Sequence, residues 1–433
     1  MLALSLAVSL LAAPTAEPLP WVRDDWTEAK NRATASKRLV AVDVWATWCH
    51  TCLSMKNFVL TEAPLAKVAD THVWLALDYD LEKNAAFFAK FPIAAFPTFL
   101  VIDPAKEEVV ARWVGSGSAE EMASFFATAS PTPTDPLALG NRALARGQHA
   151  EAAAIFEKAL GARVPDAARE TRLIGGLIEA LYKSDPKRCV ERGVALLDRV
   201  DDSSPGVDAG AMITFCAEGL DPSVKNAALA KVKARLEKTE QNATAMAKLS
   251  IDDRSGLYST LIDLEDSLGN GKAADALTLK RLALLEDAAN AAKDPMARAT
   301  FDAHRLECYL RLKRFPVAQK MLEATAKAAP KDFNPPWRLA VLFKAMGDTK
   351  RGLTAIERAL SLGYGPRRVR LHSTKIDLLI QAKRWSDAKS AIGDARADIK
   401  KMDAALVRSS WTDTLNAQEK TVDAQLPTKR GAS

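Results

Sequence analysis

Two cysteines separated by two residues, Cys49 and Cys52, are the residues of this sequence best suited to chemistry. They stand in VWATWCHTCLSMK, directly behind an apolar run and a tryptophan. Three kinds of site use such a pair: a zinc site, a structural disulfide, and a redox couple that opens and closes a disulfide.

The first two kinds of site find little support elsewhere in the chain. Zinc commonly takes four ligands from two CxxC-like pairs, and the sequence holds no second pair. His50 lies inside the pair and His72 is not at ligand spacing, so we expect no metal. A disulfide across two intervening residues closes a very small loop and constrains the unfolded chain little. The redox couple is therefore favoured, with the disulfide between Cys49 and Cys52 as its working group and no other cofactor.

The redox interpretation depends on the elements that position the cysteines. LVAVDVWA (39–46) is almost continuously apolar, as expected for a central strand covered on both faces. LSMKNFVL (53–60) carries a helical pattern, so the pair lies at a strand-to-helix junction. Free N–H groups at the start of that helix would stabilise a thiolate and lower its pKa. We expect Cys49 to be the attacking nucleophile and Cys52, one turn further on, to be the resolving thiol.

An α/β unit surrounds the pair over the first 130 residues. The predicted order is α-β-α-β-α-β-β-α, in which the last two strands form an antiparallel hairpin. The predicted helices cover 21–38, 53–60, 84–91 and 118–129, and the predicted strands cover 39–46, 72–80, 97–103 and 109–115.

Three separated motifs resemble the thioredoxin superfamily. They are WCHTC at 48–52, the aspartate Asp43 in the preceding strand, and the Pro97-Thr pair of FPTFLVID. The resemblance covers about residues 21–130. It implies a thioredoxin-like α/β domain, with a central mixed sheet flanked by helices.

The resemblance also implies roles for the site residues. Asp43 would shuttle a proton to or from Cys52. Pro97 would be cis, with its loop beside the disulfide, and the backbone of Phe96 would pair with a client as an added strand. From the residues alone, Asp43 can also be a partnered buried carboxylate, and Pro97 an ordinary trans proline at a strand start. Trp48 is expected to pack around the site.

The pair also departs from typical thioredoxins. His50 and Thr51 stand where Gly-Pro is usual, and HVWLALDYD (72–80) shows no lysine to accompany the buried aspartate. Thr51 and the helix with Trp26 look more like the exported thioredoxin-like domains of disulfide-reducing pathways. Protonated, His50 would favour the Cys49 thiolate and make the couple more oxidising, whereas pointing to solvent it would do little. The redox direction stays open.

The sequence after the proline-rich segment SPTPTDP (130–136) is helical and repetitive. In 140–160, small residues stand at the spacing of a tetratricopeptide helix pair, and Phe156 is expected to fill the gap between the two helices. Thr325 and Ala359 are 34 residues apart, the tetratricopeptide period. The predicted units are 140–160, 309–330, 343–360 and 378–395, with a further helix-pair turn at 267–277 and no assigned phase for the rest of 170–300.

Charge separates the two predicted modules. Residues 1–130 carry a net charge of −4 and the remainder +10. The basic charges are interspersed, so a solvated helical surface is favoured over a site for an acidic partner, and we expect no nucleic-acid partner. Five cysteines do not form a disulfide framework. Cys189, Cys216 and Cys308 are predicted to be separate, buried small hydrophobic residues, with redox partners as the alternative.

The N-terminus has the features of an export signal. Leu2 to Ala13 is an apolar run too short to span a bilayer, and small residues follow it up to Ala16. No Lys or Arg precedes the run, so a cytoplasmic location stays as the alternative to a periplasmic or other extracytoplasmic one. No other stretch is apolar enough to span, so we expect no membrane span in the mature chain.

Together these features predict five segments and one function. The segments are a signal peptide (1–16), a thioredoxin-like domain (17–130), a linker (131–136), an all-α tetratricopeptide-like solenoid (137–425) and a disordered tail (426–433). The predicted function is an exported thiol–disulfide oxidoreductase of the reductant or exchange type, whose repeats recruit protein clients or hold a protein partner in their groove. The alternative is a non-catalytic interaction scaffold whose thioredoxin fold is structural.

Overall fold

The computed structural model describes residues 19–132, 134–161 and 164–426. The predicted signal peptide and residues 427–433 of the predicted tail lie outside these ranges. The N-terminal part contains one five-stranded sheet. Its strands are β1 (Trp21–Arg23), β2 (Leu39–Trp45), β3 (His72–Asp78), β4 (Thr98–Asp103) and β5 (Glu108–Val114).

The sheet has the order β1-β3-β2-β4-β5 and is mixed. β1, β3 and β2 run parallel, β4 pairs antiparallel with β2, and β5 pairs antiparallel with β4. β2 is the central strand, which explains its almost continuous apolar sequence. Five helices accompany the sheet within the described residues: α1 (Trp26–Ser36), α2 (His50–Ser54), α3 (Ala63–Ala66), α4 (Ala85–Lys90) and α5 (Ala119–Thr128). The predicted thioredoxin-like fold is confirmed.

The helix predicted for residues 21–38 begins later than predicted. Trp21–Arg23 forms β1 and pairs with β3, and the helix begins only at Trp26. Val22 is buried in the sheet core, so this short strand gains apolar contacts that a helix would lose. Asp25 then caps α1 by accepting the backbone N–H of Glu28 at 2.8 Å.

The rest of the described chain is helical. The helices are α6 (Pro136–Ala145), α7 (His149–Leu160), α8 (Ala167–Ser184), α9 (Pro186–Leu196), α10 (Ser204–Ala217), α11 (Pro222–Gln241), α12 (Ala243–Lys248), α13 (Ile251–Ser267), α14 (Gly271–Ala291), α15 (Pro295–Ala299), α16 (Asp302–Arg311), α17 (Phe315–Ala328), α18 (Asn334–Ala345), α19 (Thr349–Leu362), α20 (Arg367–Gln381), α21 (Trp385–Lys401) and α22 (Ser409–Asp423). None of these described helices is both long and apolar enough to cross a membrane.

The helices pack as a tetratricopeptide-like solenoid, as predicted. Neighbours in sequence pair along the chain, and alternate helices α16, α18, α20 and α22 stack on one another. The ring of Phe156 shows why small residues are needed: a Cβ on Gly140 would lie 2.3 Å from it, and one on Gly176 would lie 2.6 Å away. Phe156 therefore joins α6, α7 and α8 through one side chain. The predicted turn at 267–277 is also present, between α13 and α14.

Two of the three distant cysteines form a bond that was not predicted. Cys189 on α9 and Cys216 on α10 are joined by a disulfide, with Cα atoms 6.0 Å apart. Both are fully buried, so the predicted burial is right and their separation is wrong. Their 27-residue spacing does not reveal that α9 and α10 are neighbours. Cys308 is a buried free thiol, as expected.

The solenoid packs against the thioredoxin-like part instead of trailing from it. α6 begins at Pro136, inside the predicted linker, and packs on β5. Arg112 of β5 forms a two-pronged ion pair with Glu179 of α8, at 3.0 and 2.7 Å. Near the other end of the chain, Leu406 is buried in the core that holds Val22 and Phe91. The predicted domain boundaries themselves stay predictions.

Candidate functional site

The two cysteines form a disulfide at the start of α2. Their Cα atoms are 5.2 Å apart. Cys49 is the N-cap of the helix, and its Sγ accepts the backbone N–H of Cys52 at 3.1 Å. In the reduced state the same N–H and the helix N-terminus would stabilise a thiolate on Cys49. Cys49 is 6% exposed and Cys52 only 2%, an order consistent with attacking and resolving thiols.

Asp43 of β2 lines a small cavity near residues 47–52, which carry the two cysteines and which we call the redox segment. The cavity, of about 20 Å³, is also lined by Arg23, Trp45, Lys56 and Ala76, and we call it the Asp43 cavity. Its volume suits about one water molecule. Burial raises the pKa of Asp43 to about 7, against the opposing charges of Lys56 and Arg23. A carboxyl group with this pKa can take or give a proton near neutral pH.

The lysine beside Asp43 comes from an unexpected element. Ala76 occupies the β3 position paired with Asp43, which is why HVWLALDYD shows no lysine. Lys56 instead lies on a π-helical turn, Met55–Val59, that continues α2. Its ammonium sits 4.4 Å from the centre of the Trp45 ring. The spacing of four residues from Cys52 is the sequence signal that could have identified Lys56.

The loop before β4 packs against the disulfide. The Phe96–Pro97 peptide bond is cis. Phe96 and Trp48 pack on the cluster formed by the two cysteines, and their rings meet edge to face at 5.3 Å. The structure therefore brings Trp48, Phe96 and Pro97 to the redox pair, while their parts in catalysis stay predictions.

Two acidic residues at the end of β3, Asp78 and Asp80, form hydrogen bonds beside the Trp48 and Phe96 rings. The indole Nε1 of Trp48 donates a hydrogen bond to Asp80 Oδ2 at 2.7 Å. Burial, and then the neighbouring Asp78 carboxylate, raises the pKa of Asp80 to about 7. Tyr364, from the turn between α19 and α20, donates to Asp78 Oδ2 at 2.8 Å. Sequence reasoning missed this pair, although DYD at a strand end was a visible signal.

Residues of the solenoid lie over the redox segment, and we call them the helical cover. Asn334 donates to the backbone carbonyl of Thr47 at 3.3 Å. The guanidinium of Arg367 lies 4.3 Å from the ring centre of Trp48, and that of Arg408 lies 5.5 Å from the ring centre of Phe96. The full cover consists of Asp252, His304, Asn334, Tyr364, Arg367 and Arg408. No local signal could have found these residues, because they lie about 200 residues or more further along the chain.

His50 points to the helical cover. Its Nδ1 lies 2.7 Å from Asp252 Oδ1, and its ring centre lies 3.4 Å from that of His304. Burial opposes ionisation of Asp252, but the charge of His50 and hydrogen bonds from His50 and Thr51 hold its pKa below the usual value. Burial keeps the pKa of His304 well below its usual value. His50 therefore faces Asp252 and His304 and keeps 28% of its side chain exposed, while its effect on the Cys49 thiolate stays a prediction.

Comparison with known proteins matches the N-terminal part to one family. The family model described as Thioredoxin matches residues 22–128. Thioredoxin H3 of Arabidopsis thaliana is 34% identical over 99 residues, which cover 21% of this chain and 80% of the relative. Thioredoxin H-type 2 of Nicotiana tabacum is 31% identical, over 26% of this chain and 88% of the relative.

Two further similarities are more limited. The thiol:disulfide interchange protein DsbD of Pseudoalteromonas atlantica is 27% identical over 88 residues, or 20% of this chain and 15% of the relative. Among solved structures, a tetratricopeptide repeat protein from Parabacteroides merdae matches 66% of this chain and 97% of its own, at 11% identity and a TM-score of 0.43.

The position of the cysteine pair and the relatives agree. The Cys49–Cys52 pair at the start of a helix, together with the thioredoxin relatives, supports thiol–disulfide oxidoreductase activity in general. Through residues 22–128, followed by a tetratricopeptide-like solenoid, this chain belongs to the thioredoxin family.

Proposed function

We propose that this protein is a thiol–disulfide oxidoreductase of the reductant or exchange type. The observation that carries the proposal is the Cys49–Cys52 disulfide at the N-terminus of α2, with Cys49 Sγ accepting the Cys52 N–H at 3.1 Å. Similarity to a thiol:disulfide interchange protein supports the exchange role.

Two thiol exchanges account for the chemistry. The Cys49 thiolate attacks a client disulfide, forms a mixed disulfide and releases one client thiolate. Cys52, after giving its proton to the Asp43 carboxylate, attacks Cys49 Sγ and releases the second client thiolate. The client is reduced by two electrons and the Cys49–Cys52 pair is oxidised, so an external dithiol must restore it.

The proposed role of the solenoid is to govern which clients reach Cys49. The helical cover supports this role, because Arg367 and Arg408 lie on Trp48 and Phe96, the rings that pack on Cys49, and Cys49 is only 6% exposed in the oxidised state. A protein client would have to displace part of the cover and take its place on Trp48 and Phe96. Repeats that bind the same client would raise its concentration near Cys49.

Reduction of insulin disulfides with dithiothreitol as electron donor tests the activity. Wild type should be active, Cys49→Ser inactive, and Cys52→Ser should trap mixed disulfides at Cys49. Cys308→Ser is the matched control, because Cys308 is a buried free thiol. Activity that survives in Cys49→Ser would overturn the assignment.

The same cover favours a second candidate function. A solenoid that seals the redox pair is also what a non-catalytic interaction scaffold with a structural thioredoxin fold would have. In that case wild type would stay inactive on insulin and on small disulfides, even under conditions that open the cover.

Export is part of the proposal and rests on the apolar run from Leu2 to Ala13. A reporter fused after Thr27 should be exported to the periplasm or another extracytoplasmic space, and the mature protein should begin near Glu17. Intact Met1 on protein recovered from the cytoplasm would support the cytoplasmic alternative.

A further inference from the structure

Three side chains that can bind a metal ion meet where the redox segment contacts the solenoid. His50 begins α2, Asp252 lies in the first turn of α13, and His304 lies on α16. One ligand atom from each, two imidazole nitrogens and one carboxylate oxygen, lies within 4.8 Å of the others. The first two residues are 202 positions apart, which is why the sequence predicts no metal here.

A second layer of hydrogen bonds holds His304 in place. Ser255, one turn after Asp252 on α13, bonds His304 Nδ1 at 2.8 Å. Ser255 is itself fixed by Arg281, whose Nε donates to its hydroxyl at 2.9 Å. With Nδ1 engaged, Nε2 is the nitrogen that would bind a metal. Metal-binding histidines usually have such a partner on the other ring nitrogen.

We propose that His50, Asp252 and His304 bind one divalent ion of the zinc type. Two imidazoles and one carboxylate form a ligand set that zinc accepts, with water in the fourth position. Ligand atoms on one zinc ion, at about 2.0–2.1 Å each, lie roughly 3.3 Å from one another. To hold an ion, the 2.7 Å contact between His50 Nδ1 and Asp252 Oδ1 must widen toward this value, and any ligand atoms farther apart, now within 4.8 Å, must approach one another.

Charged groups of both signs surround the cluster. Asp253 follows Asp252 on α13, and both side chains are buried. Arg281 pairs with Glu307 at 3.0 Å, and Arg338, whose charge also acts on His304, is opposed by the charge of Asp302. An ion bound here would link the redox segment to α13 and α16. It would therefore hold the helical cover against the segment that carries Cys49.

Zinc titration of the oxidised full-length protein tests the proposal. With the Cys49–Cys52 disulfide intact, neither thiol can bind the ion, so calorimetry reports the histidine–aspartate site. We expect about one Zn²⁺ per chain, and a thermal unfolding midpoint that rises with Zn²⁺. Asp252→Asn and His304→Gln should each lose this binding, and Ser255→Ala should weaken it roughly 10- to 100-fold.

His149→Gln is the matched control, because His149 starts α7 away from the cluster, and it should bind Zn²⁺ as wild type does. Circular dichroism without metal shows whether each variant is folded, and a variant that does not fold is replaced by His50→Gln. Zn²⁺ bound equally by all folded variants, or only after reduction of the disulfide, would overturn the proposal. The test needs no catalytic turnover, so it can fail while the proposed oxidoreductase activity holds.

Discussion

The Asp43 cavity and the helical cover both adjoin the redox segment, but different parts of the chain build them. Every residue that lines the cavity precedes residue 80, whereas the cover comes from residues 252–408. The proposed proton transfer therefore involves only the thioredoxin-like part, whereas the proposed control of access to Cys49 involves the solenoid. If both proposals hold, substitutions should alter the two properties independently.

Replacing Asp43 should give the largest change in rate. In Asp43→Asn the amide cannot accept the Cys52 proton, so we expect resolution of a mixed disulfide to slow roughly 100-fold or more. In wild type this rate should rise as pH passes about 7, where the Asp43 carboxylate forms. Single-turnover kinetics from pH 5 to 9 measure this, with the exposed Asp70→Asn as control. An unchanged pH profile in Asp43→Asn would place proton transfer elsewhere.

The same substitution should change how stability depends on pH. The folded protein holds the Asp43 proton up to a pKa of about 7, whereas the reference value is 3.8. The folded state therefore binds more protons between these values, and the free energy of unfolding falls as pH rises from about 4 to about 7. The loss is roughly 4 kcal/mol, because each pKa unit between the two values corresponds to about 1.4 kcal/mol.

Urea denaturation at pH 4.5 and pH 8 measures this effect. The free energy of unfolding of Asp43→Asn minus that of wild type should be more favourable to the variant at pH 8 than at pH 4.5, because only wild type loses the contribution of the protonated Asp43. The other titrating groups cancel in that comparison, because they are common to both proteins. Parallel pH dependences for the two proteins would contradict the raised pKa.

A residue near the C-terminal end of the solenoid should matter to the core of the thioredoxin-like part. Leu406 is 1% exposed and packs with Val22 and Phe91. Leu406→Ala should lower the free energy of unfolding by roughly 2–4 kcal/mol, through lost apolar contact and the cavity left behind. Tryptophan fluorescence during urea unfolding measures the loss. Leu279→Ala, at a position 45% exposed, should cost far less; equal costs would mean that Leu406 contributes little to this core.

Opening the cover should give the smallest of these effects. Gly365 has φ 54°, and a Cβ there would lie 1.8 Å from the Asp80 carbonyl oxygen. Gly365→Ala should displace the turn between α19 and α20 from Asp80. We expect the alkylation rate of reduced Cys49 to rise several-fold. Gly347→Ala is matched to it, since Gly347 also has positive φ, at 75°, with open space around its Cβ position. Equal rates in the two variants would mean that this turn does not limit access.

The sequence was most informative where local pattern decides structure. A central apolar strand, a helix start after the cysteines and a small-residue helix pair around Phe156 all follow from spacing and side-chain size. The N-terminal strand was missed because three residues carry too little periodicity to distinguish a strand from a helix start. The tetratricopeptide period emerged only where the repeats keep their small residues.

The site was predictable only in part, because local sequence pattern defines only some of its residues. The two cysteines, Asp43 and Pro97 lie within one fold unit, and their spacing is typical of that unit. Lys56 was overlooked because a lysine was expected on β3, where Ala76 stands, whereas Lys56 reaches Asp43 from the π-helical turn after α2. Asp252 and Arg367 approach the cysteines only through tertiary packing, which leaves no trace in the nearby sequence.

The burial of Leu406 has a consequence for synthesis of the chain on the ribosome. The last strand of the N-terminal sheet ends at Val114, 292 residues before Leu406, and Arg408, whose guanidinium meets Phe96, follows two residues later. Domains generally fold as they emerge, N-terminal part first. The nascent protein therefore passes through a period in which Cys49 and Cys52 are assembled but not yet shielded. During that interval the pair is open to oxidants and to neighbouring thiols, and only the last helices close it.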